Sequence, residues 1–229
     1  MTLVAMLCGA AAMAQENVLY VEDLTVEQGA TVNVPICLKN DAKIVSIAYK
    51  FDTLPAGFTV ASKKEDLSFN EERLDIETAR AAADDDPADP SEAADLYEFS
   101  VKKGTVTFTP GITGYRNDAD EWVAVCFLGN EGELVYHPLT VAEDCALTGE
   151  GEPYTVKLKN ISMGDDAYET GNPCTSKTAE FKVTVTPATG IIKINADDPN
   201  APVYNVAGQR VSKAQKGIFI QNGKKVAVK

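Results

Sequence analysis

What most constrains this chain is strict alternation of apolar and polar residues. Val32, Val34, Ile36 and Leu38 alternate with Asn33, Pro35, Cys37 and Lys39; Val45, Ile47, Tyr49 and Phe51 alternate with Ser46, Ala48 and Lys50. Phe181, Val183 and Val185 alternate in the same way with Lys182, Thr184 and Thr186. Successive side chains of a strand point to opposite faces, so each run predicts a strand with one apolar and one polar side. Strands of this kind hide the apolar side against a second layer, most readily as antiparallel sheets. Tyr154, Val156 and Leu158 set a register that slips at Asn160 and resumes at Ile161 and Met163, which predicts a β-bulge. Trp122 to Leu128 is apolar on both faces and predicts a central strand, with Trp122 in the core. Turn signals at Gln28-Gly29, Pro55-Ala56-Gly57, Pro110-Gly111, Gly129-Asn130-Glu131-Gly132 and Gly149-Glu150-Gly151 recur at spacings suited to a β-sandwich.

One stretch, Glu71 to Ala83, has helix-forming composition. The charges and prolines of Asp84-Asp85-Asp86-Pro87-Ala88-Asp89-Pro90 stop it, and residues 80–95 read as a mobile acidic surface insertion.

Charge separates the end of the chain from its body. Residues 203–229 carry Arg210, Lys213, Lys216, Lys224, Lys225 and Lys229 and no acid, while the remainder holds 15 basic groups against 34 acidic ones. An acidic body argues against nucleic acid and anionic membranes, whose phosphates demand clustered Lys and Arg. In the tail, Asn222-Gly223 between alternating runs is a hairpin signal, and Ala207-Gly208 and Lys216-Gly217 mark further turns. The tail therefore reads as a small β-meander, with too little apolar surface to be stable unaided.

At the other end, Thr2 to Ala14 is apolar and closes on Ala12-Met13-Ala14, the form of a signal peptide with its cleavage site before Gln15. It is too short to anchor in a bilayer, and no later run is apolar enough to cross one, so no membrane span is expected in the mature chain. Cleavage removes Cys8 and leaves Cys37, Cys126, Cys145 and Cys174, which allow three disulfide connectivities. A strand over residues 154–163 would carry the chain ~30 Å, which argues against Cys145–Cys174. Cys37 and Cys126 lie in apolar runs, where a thiol serves as a small hydrophobe.

Few residues invite chemistry. His137 is the only histidine, so any Ser-His-Asp or Cys-His arrangement must pass through it. It is in phase with Val135, Leu139 and Val141, which favours a buried, hydrogen-bonded role. The chain has no nucleophile elbow, phosphate-cradling loop or zinc-binding spacing, and neither a cofactor nor a metal is expected. Asn117-Asp118-Ala119-Asp120-Glu121 and Gly164-Asp165-Asp166 place oxygen donors in turns without following a calcium-loop pattern, and read as solvated charge. Paired loop carboxylates keep a polysaccharide hydrolase as an alternative. For glycan binding, Tyr115 and Tyr168 in polar loops are the best stacking candidates, followed by Trp122.

The tail resembles the C-terminal sorting domain of proteins exported across the Gram-negative outer membrane by the type IX route. The resemblance lies in Val203-Tyr204-Asn205-Val206-Ala207-Gly208-Gln209-Arg210-Val211, Lys216-Gly217-Ile218-Phe219-Ile220 and Gly223-Lys224-Lys225-Val226-Ala227-Val228-Lys229. It implies secretion or display at the outer-membrane surface, with the secretion machinery as a partner and Tyr204, Gly208, Arg210, Gly217, Gly223, Lys225 and Lys229 as sorting residues.

The body resembles cohesin-like domains of the carbohydrate-binding superfamily. The likeness runs through Val26 to Gly29, Val32-Asn33-Val34-Pro35, Leu38-Lys39-Asn40, Ile47-Ala48-Tyr49-Lys50-Phe51-Asp52, Leu54-Pro55-Ala56-Gly57-Phe58 and Tyr154-Thr155-Val156-Lys157-Leu158-Lys159-Asn160-Ile161. It implies an all-β fold, a jelly-roll-like antiparallel β-sandwich of about nine strands. It also implies binding of polysaccharide or of a surface protein such as a dockerin. The partner face would be the sheet holding Ser46, Ala48 and Lys50 beside Thr155, Lys157 and Lys159. The organisation expected is a leader over 1–14, the sandwich over 15–187, a linker over 188–202 and the sorting element over 203–229. A structural surface or matrix protein without a discrete ligand is a further alternative.

Overall fold

The computed structural model describes residues 16–148, 151–166, 173–188, 203–205, 210–211, 217–221 and 224–228. The leader over 1–14, Gly149-Glu150, nearly all of the linker, Tyr168 and the turns at Ala207-Gly208 and Asn222-Gly223 lie outside them, as do Lys216 and Lys229. The chain divides into two compact units between Pro187 and Ala188.

The first unit holds two main sheets. In sheet I, β1 (Asn17–Tyr20), β3 (Thr31–Asn40), β11 (Glu131–Val141) and β5 (Phe58–Val60) run in that order, and β6 (Ser68–Phe69) also pairs with β11. Sheet II runs β2 (Leu24–Glu27), β13 (Ala179–Thr186), β12 (Tyr154–Asp165), β4 (Ile44–Phe51), β8 (Thr105–Pro110) and β7 (Tyr97–Lys102). All these pairings are antiparallel except that of β2 with β13. The alternation seen in sequence becomes the core directly. Val34, Ile36, Leu139 and Val141 from sheet I and Ile47, Tyr49, Phe108, Val156, Leu158 and Val183 from sheet II are all inaccessible to solvent or nearly so. The fold is an all-β sandwich.

Aromatic rings close one end. Phe108 lies 4.6 Å from Phe99, 5.3 Å from Phe69 and 5.6 Å from Phe127, all stacked. Such pairs add about 0.5–1.5 kcal/mol each beyond the area they bury. In β12 the register against β4 jumps between Lys159 and Ser162, and Asn160 takes a left-handed φ of 52°. That bulge returns Ile161 and Met163 to the core side after Leu158.

Two sequence expectations change. Trp122 to Leu128 is not a central strand: β10 (Trp122–Ala124) pairs only with β9 (Gly114–Arg116) in a two-stranded ribbon, and only Val125 and Phe127 of this run are buried. Trp122 is 46 % exposed rather than core. The reason is local. The Asn117 side chain accepts from the Ala119 and Glu121 amides and folds the acidic loop on itself, and Gly114 leaves the indole room. Second, helix α1 (Ile76–Ala83), capped by the Asp75 carboxylate, is followed by a second short helix, α2 (Ala93–Leu96). The acidic insertion between them is tied. Arg80 donates to the Ser91 carbonyl, Asp85 accepts from the Ser91 amide and hydroxyl, and Ala93 and Leu96 are buried. Of the cysteines, whose pairing the sequence leaves open, Cys37, Cys126, Cys145 and Cys174 are all free thiols.

The second unit is a four-stranded antiparallel sheet in the order β15 (Arg210–Val211), β14 (Val203–Asn205), β16 (Gly217–Gln221) and β17 (Lys224–Val228).

Candidate functional site

Because side chains alternate along each strand, burying one face of sheet II turns the other outward as a set. On its four neighbouring strands β12, β4, β8 and β7 the register lines these residues into transverse rows. The first row is Lys159, Lys50, Thr105 and Lys102, and the second is Ser162, Ala48, Thr107 and Ser100; beyond them Gly164 pairs with Ser46, and Thr109 with Glu98. The face is basic at one edge, small and hydroxylated across the middle, and acidic at one corner of the far edge. No outward position in these rows is aromatic.

The lysines are held in place. Lys50 Nζ donates to the Lys103 carbonyl at 2.8 Å and lies over Gly104, where an added Cβ would come 3.3 Å from Lys50 Cε. Lys159 pairs with Asp52, and its ammonium is the first cause holding that carboxyl below the usual carboxylate range. Lys157 reaches Glu180 at 3.1 Å, and Lys182 donates to the Thr155 hydroxyl at 2.6 Å. Ser46 and Lys50 on β4 thus share one face with Lys159 on β12, and Thr155 and Lys157 lie further along β12 opposite Lys182 and Glu180 of β13. Sequence reasoning missed Thr105, Thr107 and Lys102. The alternation of Thr105, Thr107 and Thr109 with Val106 and Phe108 was the available signal.

The other candidates fall apart spatially. Trp122 and Tyr115 occupy adjacent register positions on β10 and β9, with Trp122 opposite Arg116 and Val123 opposite Tyr115, so their side chains leave opposite faces of the ribbon. They cannot form one stacking platform. Trp122 instead lies on Gly114, where an added Cβ would fall 2.6 Å from the indole.

His137 is 1 % exposed. Its Nε2 lies 2.9 Å from the Ala61 carbonyl, which can only accept, so Nε2 carries the proton and Nδ1 accepts from the Tyr49 hydroxyl at 3.2 Å. Burial holds the imidazole below its ordinary pKa. With both nitrogens engaged, it cannot serve a nucleophile. Burial pushes the Cys37 and Cys126 thiols up to about 11, so they stay protonated at neutral pH and are poor nucleophiles.

The acidic insertion encloses a hollow of about 460 Å³ lined by Arg80, Ala81, Asp84, Asp85, Asp86 and two prolines. Asp85 is committed to Ser91 and Arg80, and the lining offers no aromatic surface for a sugar. Among the described residues no three His, Cys, Asp or Glu side chains are arranged to hold a metal ion, and no helix is long and apolar enough to cross a membrane. Of the sorting residues, Tyr204, Arg210, Gly217 and Lys225 lie on β14, β15, β16 and β17, and Gly208, Gly223 and Lys229 lie outside the described residues.

No protein-family model and no curated protein matches the chain. Among solved structures it is similar to a type I cohesin–dockerin complex from Clostridium thermocellum, with 10% identity over 75% of this chain and 95% of that one, at a TM-score of 0.45. It is similar to the sixth cohesin of scaffoldin B from Acetivibrio cellulolyticus, solved with a dockerin, with 9% identity over 73% and 99% of the two chains and a TM-score of 0.43. It is also similar to a non-cellulosomal cohesin from the archaeon Archaeoglobus fulgidus, with 13% identity over 74% and 91% and a TM-score of 0.39. At these values no function transfers from them to this chain.

Proposed function

We propose that this chain is a non-catalytic binding module that meets a protein partner, dockerin-like in role, through the outer face of β12, β4, β8 and β7. One observation carries the reading: the central row Ser162, Ala48, Thr107 and Ser100 puts only small side chains across four adjacent strands. A partner backbone can approach such a face closely, and short side chains lose little rotamer freedom when covered. The hydroxyls supply hydrogen bonds across it. The cohesin-like residues of the sequence support the same face.

The test uses the full chain and a partner captured with it from its native cells. Ala48→Trp combined with Thr107→Arg should weaken that partner's affinity by roughly 100-fold, as a steric and charged intrusion at an interface centre does, while Tyr115→Ala leaves it unchanged. An unaltered affinity in the double variant refutes the reading.

A second reading has one observation of its own. The half-exposed Trp122 indole, resting on Gly114 beside Arg116, is a platform for the apolar face of a sugar. Binding on a glycan array that Trp122→Ala abolishes and Ala48→Trp spares would establish it. In either reading the leader and the tail make the molecule an exported one, delivered to the surface or released.

A further inference from the structure

The first row of the face is unusual for a sheet. Lys159 and Lys50 stand directly opposite each other, and Lys102 follows two strands on in the same register, with Thr105 between. Like charges paired across strands destabilise a sheet, so the row has a cost in stability. The hydrogen bond from Lys50 to the Lys103 carbonyl keeps its ammonium beside the β7–β8 turn, where Lys102 and Lys103 are exposed. With Lys157, five lysines lie along this edge, of which Lys157 pairs with Glu180 and Lys159 with Asp52. The whole chain has a net charge of −13, so this edge opposes the sign of the molecule that carries it.

We infer that the Lys159–Lys50–Lys102 row is the charge-recognition edge of the face and receives an acidic polypeptide segment, one bearing several Asp or Glu side chains. This rests on the protein-partner reading above and specifies which partner chemistry it selects. Neighbouring strands lie about 4.8 Å apart, so the backbone positions of the row from Lys159 to Lys102 span roughly 15 Å, a length that an extended peptide laid across the strands can follow. The lack of aromatic side chains at these outward positions favours a peptide over an acidic polysaccharide, which would need a stacking surface as well as charge. On an acidic body such an edge raises the encounter rate with acidic partners in one orientation and turns away basic ones.

Fluorescence anisotropy of the full chain with a labelled peptide of alternating Glu and Ala tests this, with a uronic-acid oligosaccharide as the competing probe. The peptide should bind in a salt-sensitive manner. Lys50→Glu with Lys102→Glu should weaken it about tenfold or more, while Lys224→Gln with Lys225→Gln in the tail leaves the row's share intact. Peptide binding that only the tail variant weakens, or tighter binding of the oligosaccharide through the row, overturns the inference. The captured protein partner separates the two claims. If Ala48→Trp with Thr107→Arg releases it but the lysine reversals do not, the face stands and the acidic specificity falls; if neither releases it, the face itself is wrong.

Discussion

Arg73 is buried without a carboxylate among its hydrogen-bond acceptors. Its Nε donates to the Leu128 carbonyl at 2.5 Å, Nη1 to the Leu38 carbonyl at 3.5 Å and Nη2 to the Asn40 amide oxygen at 3.3 Å, with 7 % of the residue exposed. Arg73→Ala strands those acceptors and should cost about 3 kcal/mol in urea unfolding; a loss within experimental error would show that the guanidinium carries no structural role. His137 gives a pH signature. Its folded pKa lies below the unfolded value because burial disfavours the imidazolium, so the unfolded state binds the extra proton first. Stability should therefore fall as pH drops through about 6.5, the ordinary imidazole value. His137→Gln should flatten that part of the profile, and an unchanged slope would assign it to other groups. The burial of His137 is legible in sequence, from its phase with Val135, Leu139 and Val141. The burial of Arg73 is not, because its acceptors come from β3 and the loop before β11, far along the chain.

Among the elements, β12 was readable in detail, since the apolar register that breaks at Asn160 can be repaired only by one extra residue. Asn160→Gly should be tolerated and Asn160→Val should lose roughly 1–2 kcal/mol, the cost of a left-handed backbone for a β-branched residue. Equal stability of the two would mean that the bulge is not strained. The ribbon of β9 and β10 is not legible in sequence, because Trp122 to Leu128 has the composition of a central strand. What composition could not reveal is that Gly114 accepts the indole and that Asn117 closes the loop, so the run begins outside the core and enters it only at Val125 and Phe127. The outer face of sheet II was half legible: β4 and β12 declare themselves by alternation, but only the register shows that β8 and β7 extend their rows.

For the whole molecule, the division after Pro187 predicts that a chain ending there unfolds cooperatively at the same urea midpoint as the intact protein. A lower midpoint would mean that the last residues contribute to the body's stability. In cells, the same truncation should leave the protein in the periplasm if residues 203–229 direct its delivery, and normal surface delivery would remove that role. Sheet II, not sheet I, is the face proposed to meet a protein. Photo-crosslinking groups placed at position 107 on β8 and at position 140 on β11, in the full chain in its native cells, test this most directly. A discrete protein adduct from 107 and none from 140 is the predicted result; adducts from 140 alone, or from neither position, would contradict it.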